Sequence, residues 1–269
     1  MKTRIISAIV GLAIFVAVMA LSSILPILLV IVFGLISALA IYEMLNNTGL
    51  VKIKAFLITS MIYGLLTPFF FSSYFYYLVL SALFVLSNIV LSLIYYGKAE
   101  IKSIAANIAL PIILSFAFSS VYMLASAKET KLLYFVLIFV FAWGADTGAY
   151  FAGTFFGKHK LCPEISPKKT IEGAVGGIVS SVVITIIVCL IYTSVLHIEV
   201  KWIGMIIASV IFAVVGMMGD LFASIIKRYC GIKDYGNIMP GHGGVLDRFD
   251  SVLMIAPYFL IFASLFNLI

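Results

Sequence analysis

Charge along this chain is confined to clusters, and the stretches between them are apolar. No charged residue lies between Arg4 and Glu43 or between Lys54 and Lys98, and further charge-free stretches run over 103–127, 173–198, 202–219 and 251–269. A helix needs about 20 residues to cross the ~30 Å hydrocarbon core of a bilayer. The first two stretches are long enough for two spans each, so the pattern predicts nine spans, near 5–22, 25–43, 55–71, 74–95, 104–125, 132–156, 173–196, 202–226 and 249–268. The runs are continuous rather than alternating, which favours helices over a membrane barrel. Pro26, Pro68 and Pro111 sit at or near the predicted ends, where proline does least harm. Segment 1–22 has the Lys2 and Arg4 flank of a signal peptide, but a second full span follows at once with no polar domain after it. We read it as the first spanning helix.

Composition narrows the class. Hydrophobic residues make up 64% of the 269 and charged residues 10%, against about 25% charged in a soluble domain. That excludes a water-soluble globule, and so apolar a chain is not disordered. Cys162, Cys189 and Cys230 are too widely and oddly spaced for a zinc site or a disulfide framework. The expected fold is all-α: a polytopic integral membrane protein of about nine transmembrane helices, in the cell (inner or plasma) membrane. With the N-terminus in the cytoplasm, fourteen of the seventeen Lys and Arg residues fall on the cytoplasmic side, leaving Lys128, Lys131 and Lys201 opposite. This is the positive-inside bias, and it puts the C-terminus outside.

The chain is lopsided. Residues 1–130 are apolar spans with short turns, a scaffold with lipid-facing or dimer-forming surface. Residues 131–269 carry two long polar loops on the cytoplasmic side, 157–172 and 227–248, and loops of that length point to function. Asp146 lies inside an apolar span, where an aspartate costs about 2.5–3.5 kcal/mol on insertion scales; it needs a partner, a proton or a polar cavity. Gly144, Gly148 and Ala152, with Ala145, Ala149 and Gly153 one position on, form a small-residue ridge that lets helices approach closely and permits a homodimer. Asp220, Ser224 and Lys227 or Arg228 share one helix face, from an acid within the membrane to cations at its surface.

Loop two concentrates Lys227, Arg228, Lys233 and Arg248 with Asp234, Asp247, His242 and five glycines. Gly241, Gly243 and Gly244 can leave backbone N–H groups open as a phosphate cradle. Asp247 and Asp250 share a helix face and can flank a divalent cation, since magnesium is typically held by one or two carboxylates plus phosphate oxygens. The cations can stabilise charge on a transferring phosphoryl group. Combined at a membrane face, these groups indicate a phosphoanhydride substrate with a metal. No Walker-type or dinucleotide-binding glycine motif, zinc pair or nucleophile elbow is present. The basic residues follow topology, so no nucleic-acid partner is expected.

The run Ser224-x-x-Lys227-Arg228-x4-Lys233-Asp234-x-Gly236-x3-Pro240-x-His242-Gly243-Gly244-x-x-Asp247-Arg248-x-Asp250 resembles the signature of phosphatidate cytidylyltransferases, or CDP-diacylglycerol synthases. Asp146-Thr147-Gly148-Ala149-Tyr150, Phe156-Gly157-Lys158-His159-Lys160-Leu161 and Ser166-Pro167-x-Lys169-Thr170-x-Glu172-Gly173 resemble that family's upstream loop. Met239, Lys168 and Ile171 depart from its usual residues. The resemblance implies a nucleotidyltransferase of phospholipid biosynthesis. Phosphatidic acid attacks the α-phosphate of CTP at the cytoplasmic face, giving CDP-diacylglycerol and pyrophosphate, with magnesium or another divalent cation and room for a second cation.

On that reading Asp220 and Asp247 are the first choice of metal ligands, supported by Asp250 and Asp146. Lys227, Arg228 and Arg248 neutralise phosphates. His242, Gly243 and Gly244 line the nucleotide phosphate site, with Ser224 and Lys233 beside it. Ser166, Lys168, Lys169 and Thr170 grip CTP or the lipid phosphate, while Glu172 and Asp234 are loop acids that are as readily structural. Two alternatives stand beside it: a proton- or sodium-coupled secondary transporter using the intramembrane aspartates, and a CTP-dependent lipid-alcohol kinase.

Overall fold

The computed structural model describes residues 13, 17–22, 24–126, 129–197, 199–238, 243–266 and 268–269. It is mostly helical. The described helices are α1 (Ile27–Tyr42, continued by a π-helical turn over Glu43–Asn47), α2 (Lys54–Phe70), α3 (Tyr74–Ile94), α4 (Ile101–Ala125), α5 (Glu129–Phe139, continued by a π-helical turn over Val140–Gly144), α6 (Ala145–Phe156), α7 (Ile171–Leu196), α8 (Trp202–Tyr229) and α9 (Leu246–Phe266). Among the described residues, seven helical segments are long and apolar enough to cross a membrane, and Lys54–Phe70 is a shorter apolar helix. The chain is thus a multi-pass helical membrane protein. The expected span 5–22 falls largely outside the described residues, although 17–22 are helical.

Three details differ from the sequence reading. Within the expected all-α class, loop one folds as an antiparallel pair of strands, β1 (Lys160–Cys162) and β2 (Ser166–Thr170). Strands of three and five residues carry too little alternation to be read in advance. Loop two is shorter than expected, because α8 runs on through Lys227 and Arg228 and α9 starts at Leu246. Cations in the last turn of α8 complement its negative dipole end. Pro111 lies well inside α4, and a spanning helix tolerates proline where neighbours satisfy the freed carbonyl.

The chain forms two compact units: residues 1–123 with 229–249, and residues 124–228 with 250–269. In the first, α2 packs between α1 and α3. Tyr63 stacks on Phe84 with ring centroids 4.3 Å apart, and its hydroxyl meets Ser81 Oγ at 2.9 Å. A fully buried polar chain links three helices: Ser60 Oγ donates to Asn107 Oδ1 (3.0 Å), and Asn107 Nδ2 donates to Asn88 Oδ1. With little hydrophobic drive between helices in lipid, such bonds and close packing hold them together.

In the second unit, α6 and α7 meet through the small-residue ridge. Methyl groups built on Gly148 and Gly176 would strike Ser180 and Ala152, and one on Gly177 would come within 2.8 Å of the Ala145 carbonyl oxygen. The ridge therefore serves a contact within the chain. Phe141, Phe212 and Phe259 form the apolar centre, with centroid separations of 5.2 to 5.8 Å. Many large apolar side chains on α3 and α7 face outward, as suits lipid rather than water.

Candidate active site

In the second unit, four elements bring ionisable groups together. A π-helical turn over Val140–Gly144 ends two residues before Asp146, and such turns are frequent at functional sites. Asp146 is exposed at the mouth of a cleft of about 470 Å³ whose lining includes Tyr150, Lys160, Lys168, Lys169 and Asp220. The β-hairpin carries the lysines into place. Lys169 Nζ is shielded from water and lies 2.6 Å from Asp220 Oδ2, an ion pair whose angles fall outside hydrogen-bond range.

Thr170, expected to grip substrate, lines the same cleft. Its hydroxyl is the N-cap of α7, accepting from Gly173 N at 3.1 Å. Ser166 pairs with Cys162 at the far end of the hairpin. Glu172 accepts the backbone N–H groups of Lys158 and His159 (3.1 and 3.2 Å) and meets His159 Nδ1 at 2.7 Å. It acts as a structural acid of that loop, at a helix N-terminus where negative charge is favoured.

Gly219 brings α8 against α9. A Cβ there would lie 3.1 Å from the Asp250 carbonyl oxygen and 3.3 Å from Ser251 Cα. This approach sets Asp250 against the turn of α8 that carries Asp220. Lys227 Nζ lies 3.9 Å from Asp250 Oδ2. Ser224 is half-buried on the same helix, while Arg228 is exposed. This unit thus combines three carboxylates with the cations of the hairpin and of the α8 end. Among the described residues, no three His, Cys, Asp or Glu side chains form a ready-made metal cage.

In the first unit, loop two is organised by carboxylates. Asp247 is buried, and its Oδ2 accepts from Tyr235 N (2.8 Å) and Gly244 N (3.0 Å). Gly243 has φ +85°, and a Cβ there would come 2.9 Å from Asp247 Oδ2. The expectation of open N–H groups is corrected at Gly244: its N–H is directed at Asp247 because the loop folds back onto its own acid. Lys233 and Arg248 are exposed. His242, with Met239, Pro240 and Gly241, lies outside the described residues.

A sequence model of the cytidylyltransferase family matches residues 2–266. The chain belongs to the cytidylyltransferase family. It is similar to the phosphatidate cytidylyltransferase of Staphylococcus saprophyticus subsp. saprophyticus, 33% identical over 264 residues and covering 96% of each chain. The Staphylococcus aureus (strain COL) phosphatidate cytidylyltransferase is 32% identical over 259 residues, again 96% of each. That of Bacillus subtilis (strain 168) is 40% identical over 136 residues, 51% of this chain and 49% of the relative.

This cytidylyltransferase also uses a residue that the sequence reading passed over. Glu43, at the start of the first π-helical turn, is completely buried. Its Oε1 accepts from Val245 N at 3.0 Å and its Oε2 from Leu246 N at 2.8 Å. In the sequence it is a lone acid after an apolar run, with no partner near it in the chain. The available clue was Gly236 and Gly244, whose missing side chains leave room for its carboxylate.

Proposed function

We propose that this cytidylyltransferase transfers CMP from CTP to phosphatidic acid, making CDP-diacylglycerol and pyrophosphate. The observation that carries the reading is the cleft of the second unit, where Lys160, Lys168 and Lys169 line a space of about 470 Å³ together with Asp146 and Asp220 in a chain belonging to this family. A phosphatidate oxygen forms a bond to the α-phosphorus of CTP, and the bond from that phosphorus to the β-phosphate bridge breaks. The nucleophile is already anionic, so no strong base is needed. The barrier lies in bringing two polyanions together in line, a task of positioning and charge neutralisation.

Lys160, Lys168 and Lys169 meet phosphate oxygens in the cleft, and Lys227 and Arg228 do so at the end of α8. Lys233 and Arg248, exposed in loop two of the first unit, are further cations for phosphate. Asp220 and Asp250 would supply the one or two carboxylates that a divalent cation such as magnesium takes beside phosphate oxygens, with Asp146 lining the same cleft as Asp220; Asp247, whose Oδ2 is taken by two loop N–H groups, is not assigned to the ion. Bound there, the ion would neutralise phosphate charge. With the N-terminus in the cytoplasm, both loops face the compartment that holds CTP, and a homodimer would use a face other than the α6–α7 ridge.

The test is purified protein in detergent with magnesium and labelled CTP, given either phosphatidic acid or a lipid alcohol. A liponucleotide and pyrophosphate from phosphatidic acid support the reading. Phosphorylation of the alcohol, or solute movement in vesicles with no product from CTP, overturns it.

A further inference from the structure

We infer that Glu43 is a positioning residue for the transfer reaction, acting from the N-terminal helices by fixing residues 235–236 and 244–247 of loop two. A carboxylate at zero exposure in so apolar a chain is costly unless its oxygens are satisfied. Both are, by the N–H groups of Val245 and Leu246. Those belong to the start of α9, where helix N–H groups lack intrahelical acceptors and negative charge is favoured. Glu43 therefore acts as an N-cap supplied from about 200 residues away in the sequence.

The contact reaches an earlier part of the loop as well. Methyl groups built on Gly236 and on Gly244 would both run into the Glu43 carboxylate. Asn47, four residues on, donates from Nδ2 to the Tyr235 carbonyl oxygen at 2.7 Å. Tyr235 N in turn donates to Asp247, which also holds Gly244. Glu43, Asn47 and Asp247 so staple residues 235–236 to residues 244–247. The two glycines are matched in shape to an acid of the protein itself, and the exposed cations Lys233 and Arg248 flank the stapled segment.

This inference rests on the reading that loop two handles phosphate, so its test has one arm that needs no turnover. Glu43→Gln places an amide NH2 where one of two N–H donors needs an acceptor; Glu43→Asp keeps the charge on a shorter arm. Amide hydrogen exchange in detergent should quicken across 235–238 and 243–246 in Glu43→Gln and not in α7. Kinetically, Glu43→Gln should lower kcat/KM for CTP by at least about tenfold, as expected when a charge-assisted contact is lost, with kcat carrying part of the loss and the fold intact.

Gly244→Ala should also lose activity, by collision with the acid, and Glu43→Asp should restore part of it in the double variant by making room. Unchanged exchange across 235–238 and 243–246 in Glu43→Gln overturns the stapling. A kcat/KM within about twofold of the wild type, with exchange quickened, overturns the positioning role. A wild-type protein that makes no liponucleotide counts against the proposed function, while the exchange arm still decides the anchoring.

Discussion

The Lys169–Asp220 pair offers the most direct test of the cleft. Lys169→Met keeps the length of the side chain and removes its charge, leaving Asp220 without the cation that lies 2.6 Å away. At that distance Coulomb's law gives about 6 kcal/mol at an effective dielectric of ~20 and about 1.6 kcal/mol in bulk water. The two side chains are 24% and 28% exposed, so the pair sits between these limits. Desolvation offsets much of the attraction. A net coupling of about 1–3 kcal/mol follows, within the range found for residues in contact.

The assay is a double-mutant cycle on kcat/KM for CTP in detergent, using Lys169→Met, Asp220→Asn and both together. Each single variant should lose at least about a hundredfold, as when charge-stabilising groups are removed from a phosphoryl-transfer site. The double variant should be better than the product of the two losses by roughly 5- to 150-fold, the coupling expressed as a rate ratio. Strict additivity, within about 0.5 kcal/mol, would show that the two groups do not act as a unit, and the cleft would lose its central argument.

Further perturbations test separate parts of the structure. Gly148→Val should disrupt the α6–α7 contact, where even a methyl group strikes Ser180; a loss of about 1–3 kcal/mol from overpacking should appear as a lower melting temperature in detergent, with activity falling alongside. Thr170→Ala should cost about 0.5–2 kcal/mol through the lost α7 cap, and Thr170→Ser, which keeps the hydroxyl, should stay near wild type in the same melt. Chelation with EDTA should stop liponucleotide formation and magnesium should restore it, with Asp250→Asn raising the magnesium concentration needed for half-maximal rate; activity persisting in excess chelator would remove the metal from the proposal.

Most of the helical architecture was legible in the sequence because lipid imposes a simple demand: every spanning backbone must satisfy itself within a continuous apolar helix. The span expected at 132–156 coincides with the observed segment Leu132–Phe156. Ends were less legible, since polar residues that suit a helix terminus look like loop; Lys227 and Arg228 are the example. The Ser60–Asn107–Asn88 chain was missed because single polar residues within apolar runs have no periodicity to betray their partners. In the candidate site, the carboxylates and lysines were recognisable as exceptions in an apolar chain. Their pairing was not, because Lys169 meets Asp220 only through the hairpin and the approach of distant helices.

Loop two shows why one kind of signal misleads. Glycines ahead of a helix read as an anion site because helix N-terminal N–H groups attract negative charge, and phosphate is the usual anion. In this cytidylyltransferase, anions of the protein occupy part of that role: Glu43 takes the N–H groups of Val245 and Leu246, and Asp247 takes that of Gly244. A glycine pattern cannot separate a ligand phosphate from an internal carboxylate, since both require the same missing Cβ and the same donors. What separates them is an otherwise unexplained acid elsewhere in the chain. Glu43 closes an apolar helix without serving the positive-inside pattern. A lone acid of that kind, paired with glycines that lack an obvious turn, points to an internal cap before it points to a phosphate site.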